Sequence, residues 1–117
     1  MPAPNYDGRR FRSVANTANG GGGEGTVFAY HQEGDAVWAT YRGGGIALGT
    51  LVATVDDDGR LDMRYHHVND AGELRTGVCT STPELLPNGR LRLRESWRWT
   101  SGDGSSGTSI LEELPTD

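Results

Sequence analysis

Residues 88–100 read NGRLRLRESWRWT. Apolar and polar residues alternate here with a period of two, the period of a strand that has one dry face and one wet face. Leu91, Leu93, Glu95, Trp97 and Trp99 share one face; Arg92, Arg94, Ser96 and Arg98 share the other. A row of arginines belongs in water, so the Leu/Trp row is the core face, and one carboxylate, Glu95, sits in the middle of it. Asn88-Gly89 is a two-residue hairpin signal, as is Asp58-Gly59, because such turns ask for positive φ at both central residues.

The same alternation runs outward along the chain. Leu61, Met63, Tyr65 and His67 face inward, with Asp62, Arg64 and His66 outside. Phe28 and Tyr30 share a face with Thr26 and Gln32. Trp38 opposes Val37, Ala39 and Tyr41, so one aromatic of that strand faces out, and the pattern does not say which. Residues 46–55 are apolar or small on both faces: Ile46, Leu48 and Val52 oppose Ala47, Gly49, Leu51 and Val55. Turn signals at 19–25, 33–35, 43–45, 56–59, 69–72, 87–89 and 101–107 cut the chain into strands at roughly 8–15, 26–32, 36–42, 46–55, 60–68, 73–81, 90–100 and 107–114. Residues 82–87 read as an irregular connection, or as one helical turn with Pro83 at its start. The stretch from Ser109 to Leu114 is short enough for a helical turn but follows a Gly-rich turn and matches its neighbours in length, so it reads as a strand. No segment has a period of 3.6.

Strands joined by short turns pair with their sequence neighbours. The expected fold is therefore all-β: an antiparallel up-and-down meander of about eight strands. An open sheet would leave one apolar face wet and two edges bare, whereas eight strands suffice to close a barrel. A closed barrel of the calycin or streptavidin-like kind is the expectation, with a half-open β roll as the alternative. The whole chain, 1–117, makes one domain, with residues 1–7 a flexible N-terminus and 19–25 a flexible Gly-rich loop.

Composition sets limits. The hydrophobic fraction is 34% and eighteen residues are Gly, which disfavours helices and suits tight turns. The net charge of −5 argues against a nucleic-acid partner, whose footprint is basic. All eleven cationic residues are Arg, which excludes a Schiff-base or phosphate-loop lysine. The single cysteine, Cys79, excludes an internal disulfide and a Cys-based zinc site, and reads as a small buried residue. No stretch is apolar for long enough to act as a signal peptide or to span a membrane, so no membrane partner and a cytoplasmic location are expected.

Glu95 is the residue that asks for an explanation. A carboxylate on an apolar face costs several kcal/mol unless it is paired or protonated, and burial raises its pKa toward acid–base range. A structural pairing with an inward Arg or a tyrosine hydroxyl, or a place at the barrel rim, is the plain alternative. Tyr30, Tyr65, His67, Trp97 and Trp99 are candidate walls of a cavity around it, although a small barrel also needs large side chains simply to fill it. His66-His67 is no metal pair, because adjacent strand residues point to opposite faces. A mixed site of His67 with Glu95 needs further ligands, and no metal or cofactor is assigned. Residues 56–59 (DDDG) lack the spacing of a calcium loop, and no helix follows the glycines at 20–25 as a dinucleotide fingerprint requires.

Six stretches carry a family resemblance: FRSVANT at 11–17, YHQEG at 30–34, VWATY at 37–41, LDMRYH at 61–66, GRLRL at 89–93 and ESWRWT at 95–100. Together they resemble a family of small bacterial proteins of about this length, many of which carry the automatic label N-acetylglutamate synthase. The resemblance runs from about residue 8 to 113, with a longer Gly-rich tip at 20–23. It carries no catalytic residues onto this chain. Acetyltransferases of that kind use an α/β fold with a pyrophosphate-binding turn at a helix N-terminus, and neither is expected here, so acetyl transfer is not the expected activity.

Three functions remain. The first is a binding barrel that holds a small, partly apolar molecule in its lumen, with Glu95 and His67 as polar anchors and Tyr30, Tyr65, Trp97 and Trp99 as walls. The second is a cofactor-free isomerase or cyclase with Glu95 as acid or base and His67 or Tyr65 as its partner. The third is an interaction module that forms a homodimer by sheet-edge pairing through 38–41 or 108–114.

Overall fold

A computed structural model describes residues 3–17 and 25–115, so the Gly-rich loop expected at 19–25 lies outside the described residues except for Gly25. Eight strands run β1 (Arg10–Asn16), β2 (Val27–Glu33), β3 (Ala36–Gly43), β4 (Ile46–Val55), β5 (Leu61–Asn69), β6 (Leu74–Leu85), β7 (Leu91–Trp99) and β8 (Ser106–Glu113). Each is antiparallel to the next, and β8 returns to β1 to close a barrel. No helix occurs among the described residues. Closure removes the half-open roll. It also removes the sheet-edge dimer: 38–41 is paired on both sides by β2 and β4, and 108–114 lies between β7 and β1, so neither is an edge.

The hairpins depart from expectation in their turn chemistry. The demand for two positive φ angles is met at Gly44-Gly45, between Gly43 and Ile46. Neither Asp58 nor Asn88 has positive φ. At both sites the loop is three residues long, a tight turn followed by a left-handed glycine: the Gly59 amide donates to the Asp56 carbonyl, and the Asp56 amide to the Arg60 carbonyl. Residues 69–73 and 86–90 repeat that pattern. Asp56 and Asn69 fix their turns by accepting two downstream backbone amides on Oδ1.

β6 is longer than expected and runs through Pro83, where an irregular connection or helical turn had been anticipated. The ladder shows why a proline fits. β5 accompanies β6 only as far as Ser81, while β7 pairs with it to Leu85. Pro83 thus lies where one side of the strand is locally an edge and no ladder amide is needed.

Register settles the faces. On β3, Val37, Ala39 and Tyr41 are inside, and Trp38 lies outside against His31 with ring centroids 5.6 Å apart. On β4 the inner face is Gly49, Leu51 and Ala53. A bulge between Ile46 and Leu48 brings Ile46 in with them and leaves Leu48 exposed. The arginine face of β7 is outside, and Arg92 bridges Glu84 of β6 and Glu112 of β8 in one cross-strand row.

The lead-in to β1, expected to be loose, places Tyr6 inside the barrel. Its side chain is fully buried, and its hydroxyl donates to the Gly59 carbonyl at 2.6 Å, 53 residues away. The Tyr6 ring packs 5.9 Å from Tyr30, which meets Phe11 edge-on at 5.1 Å. Arg9 ties the same end by an ion pair to Glu113, whose Oε1 also accepts the Leu91 amide. One end of the barrel is thereby stoppered. Tyr6→Ala should cost about 3–5 kcal/mol, the usual range for emptying a large aromatic site. Urea denaturation monitored by far-ultraviolet circular dichroism measures it, and an unchanged midpoint would show that Tyr6 is not a structural plug.

Candidate functional site

At the opposite end the described residues surround an open cavity. Its atom-free space is about 560 Å³ with the open mouth included, and the enclosed part is considerably smaller. Glu95, Tyr65, His67, Trp97 and Trp99, all singled out from the sequence, line it. Tyr30 does not. It lies below the lining, fully buried in the aromatic layer with Tyr6 and Phe11. Tyr41 and Phe28 complete the walls, their rings stacked with centroids 4.8 Å apart. The aromatic belt continues from Tyr41 through His67 to Trp99, and from there to Trp97 and Tyr65.

The lumen stays open because large rings face glycines. Tyr41 pairs with Gly49, Tyr65 with Gly77 and Trp97 with Gly107 across neighbouring strands. A Cβ on any of the three glycines would overlap the ring opposite. Each ring therefore occupies the space a side chain would otherwise fill and folds back along the wall. Sequence alternation shows that these aromatics point inward, but only the register shows what they lie against.

Glu95 sits at the centre of a row across three strands. Its partner on β6 is Ser81 and on β8 Ser109, both buried. Ser109 Oγ donates to Glu95 Oε1 at 3.1 Å. Burial pushes the Glu95 carboxyl up to about 7, and the two serine hydroxyls oppose that rise without cancelling it. Ser81 acts in this direction although its Oγ meets no partner at full hydrogen-bond geometry. No arginine pairs with Glu95. Neither serine could be picked out in the sequence, since Ser occurs on both faces of strands, and only pairing to Glu95 distinguishes these two.

His67 is buried, while His66 faces out and meets the Thr50 hydroxyl at 2.6 Å. His67 Nδ1 lies 3.1 Å from the Tyr41 hydroxyl, and Nε2 is buried without a partner. Burial, aided by the positive charge of Arg75, lowers the His67 pKa and keeps the ring neutral. Cys79 also lines the cavity, and burial drives its thiol pKa upward, which leaves it an unreactive thiol. No group of three or more His, Cys, Asp or Glu side chains comes together among the described residues, so His67 and Glu95 find no further metal ligands there.

A closed antiparallel barrel, stoppered at one end and open at the other onto an aromatic lumen, is a calycin-type architecture. Within that class the chain belongs to the avidin-like family, whose model matches residues 4–114. Barrels of this family typically bind small molecules and are often oligomers. No curated protein and no solved structure matches the chain.

The raised Glu95 pKa has a consequence for stability. An acid whose folded pKa lies above its unfolded value holds its proton more tightly in the native state, so stability falls as pH rises between the two values. Here that window runs from about 4.5 to about 7. Above it the native state carries a penalty on the order of 3 kcal/mol. Glu95→Gln should match the wild type near pH 4 and exceed it in stability at pH 8, as read from denaturation midpoints at the two pH values. A difference that does not change with pH would place the carboxyl near its ordinary value.

Proposed function

We propose that this barrel binds a small, partly apolar molecule in its lumen. Glu95 and Ser109 form the polar floor, with Ser81 behind Glu95 and out of the ligand's reach; His67 supplies a second polar contact, and Tyr41, Tyr65, Trp97 and Trp99 are the walls. The observation that carries the reading is the set of polar groups left incomplete inside the barrel. Buried polar atoms in native proteins are nearly always paired. Here His67 Nε2 has no partner, and Glu95 has no cation. A ligand that completes them explains why they are kept. Apolar walls with a few convergent polar groups are the usual make-up of a small-molecule site.

A second reading is favoured by one observation. A carboxyl near 7 is suited to general acid–base work, and Tyr65 and His67 share its cavity. In a cofactor-free isomerase or cyclase, Glu95 would move the proton. A bell-shaped rate profile that disappears in Glu95→Gln distinguishes that chemistry from binding alone.

Native mass spectrometry of the freshly purified protein, set against its denatured mass, tests the binding reading. A reproducible extra mass that is lost on denaturation and depleted in Trp97→Ala is expected. An apo mass both in cell extract and after incubation with a small-metabolite library would overturn it.

A further inference from the structure

The charge and wall chemistry of the lumen go further than its shape, and the step below rests on the lumen being a ligand site. The groups facing Glu95 are Ser81 and Cys79 on β6 and Ser109 on β8, with Tyr6, Tyr30, Tyr41 and Tyr65 around the rest of the barrel. None is a cation. The tyrosines and the cysteine are all held neutral by burial. A positive charge stands beside the wall on Arg75, whose guanidinium lies 4.3 Å from the centroid of the Trp99 ring. Its charge acts on His67 and Tyr65 and is not among the influences on Glu95. Glu95 therefore has one acceptor site filled by Ser109 and no positive partner, inside a ring of aromatic side chains.

From this we infer that the ligand is a small organic cation carrying N–H donors, such as a protonated primary amine or an amidine, with an apolar body that fits between the rings. Two features select a cation over a neutral donor. A buried carboxylate gains most from a partner that is itself charged and hydrogen-bonded. Aromatic rings attract a desolvated cation through their quadrupole. An anionic ligand is disfavoured twice, by Glu95 and by the same rings. Binding would draw Glu95 into its ionised form, so below about pH 7 the protein releases a proton as the cation enters, and affinity falls.

Three probes of nearly equal size separate the possibilities: benzylammonium, benzyl alcohol and benzoate, each titrated by calorimetry against the full chain at pH 8 and pH 5.5. The expected result at pH 8 is benzylammonium binding at least tenfold more tightly than benzyl alcohol, about the gain of one charge-assisted hydrogen bond, with benzoate weakest. Going to pH 5.5 should weaken benzylammonium by roughly thirtyfold, at about tenfold per pH unit, and leave benzyl alcohol unchanged. Glu95→Gln should abolish the preference for the cation over the alcohol. Equal binding of the alcohol or the benzoate, or a preference that survives Glu95→Gln, would overturn the cation while leaving the lumen a ligand site. Failure of all three probes to bind would overturn the cation and count against the lumen site as well.

Discussion

Everything in this molecule depends on the last strand finding the first. The ladder from Phe11↔Glu113 to Asn16↔Ser109 turns a meander into a closed surface. Without it the inner faces of all eight strands would share one wet side. The closing ladder is irregular, with a shift between Ser13 and Ala15, and β1 meets β2 in register over only Arg10, Arg12 and Phe11. Further contacts reinforce this region at the stoppered end: Arg9 forms an ion pair with Glu113, and one more backbone bond runs from the Leu114 amide to the Arg10 carbonyl. Closure leaves no strand of the eight without two neighbours, and so it creates an interior that the sequence fills unevenly. That interior is tightly aromatic below and open above.

Inside, the chain accepts a cost. Glu95 lies between Ser81 and Ser109 on an otherwise apolar inner face, with no counter-charge. A leucine there would pack with Leu93 and Leu111, both fully buried nearby. A carboxyl there gives up that packing and adds a desolvation penalty.

Strand count, closure and the inward rows of β5 and β7 were legible in the sequence, because alternation and turn residues are local signals. So was the oddity of Glu95, which needs only its own strand to be seen. What stayed hidden depends on register or on distant chain. Trp38 and Tyr41 could not be told apart until β3 was set against β2 and β4. Ile46 comes inside only through a bulge. Ser81 and Ser109 acquire meaning only when they are opposed to Glu95. Tyr6 gave no strand signal, sitting in a lead-in of Pro, Asn, Asp and Gly, and its partner is 53 residues away. The turn types misled because Asp-Gly and Asn-Gly suit either a two-residue loop or the end of a three-residue one.

The pairs of an aromatic with a facing glycine mean that the bore of this barrel is set from behind. Gly49, Gly77 and Gly107 each lie beneath a ring that shapes the lumen. A methyl group added at one of them would swing that ring toward the barrel axis and narrow the channel without altering any ring's chemistry. Calibre and chemistry are thus written at separate positions. Related barrels could drift in the size of what they admit through glycine changes alone, with the same carboxylate at the bottom.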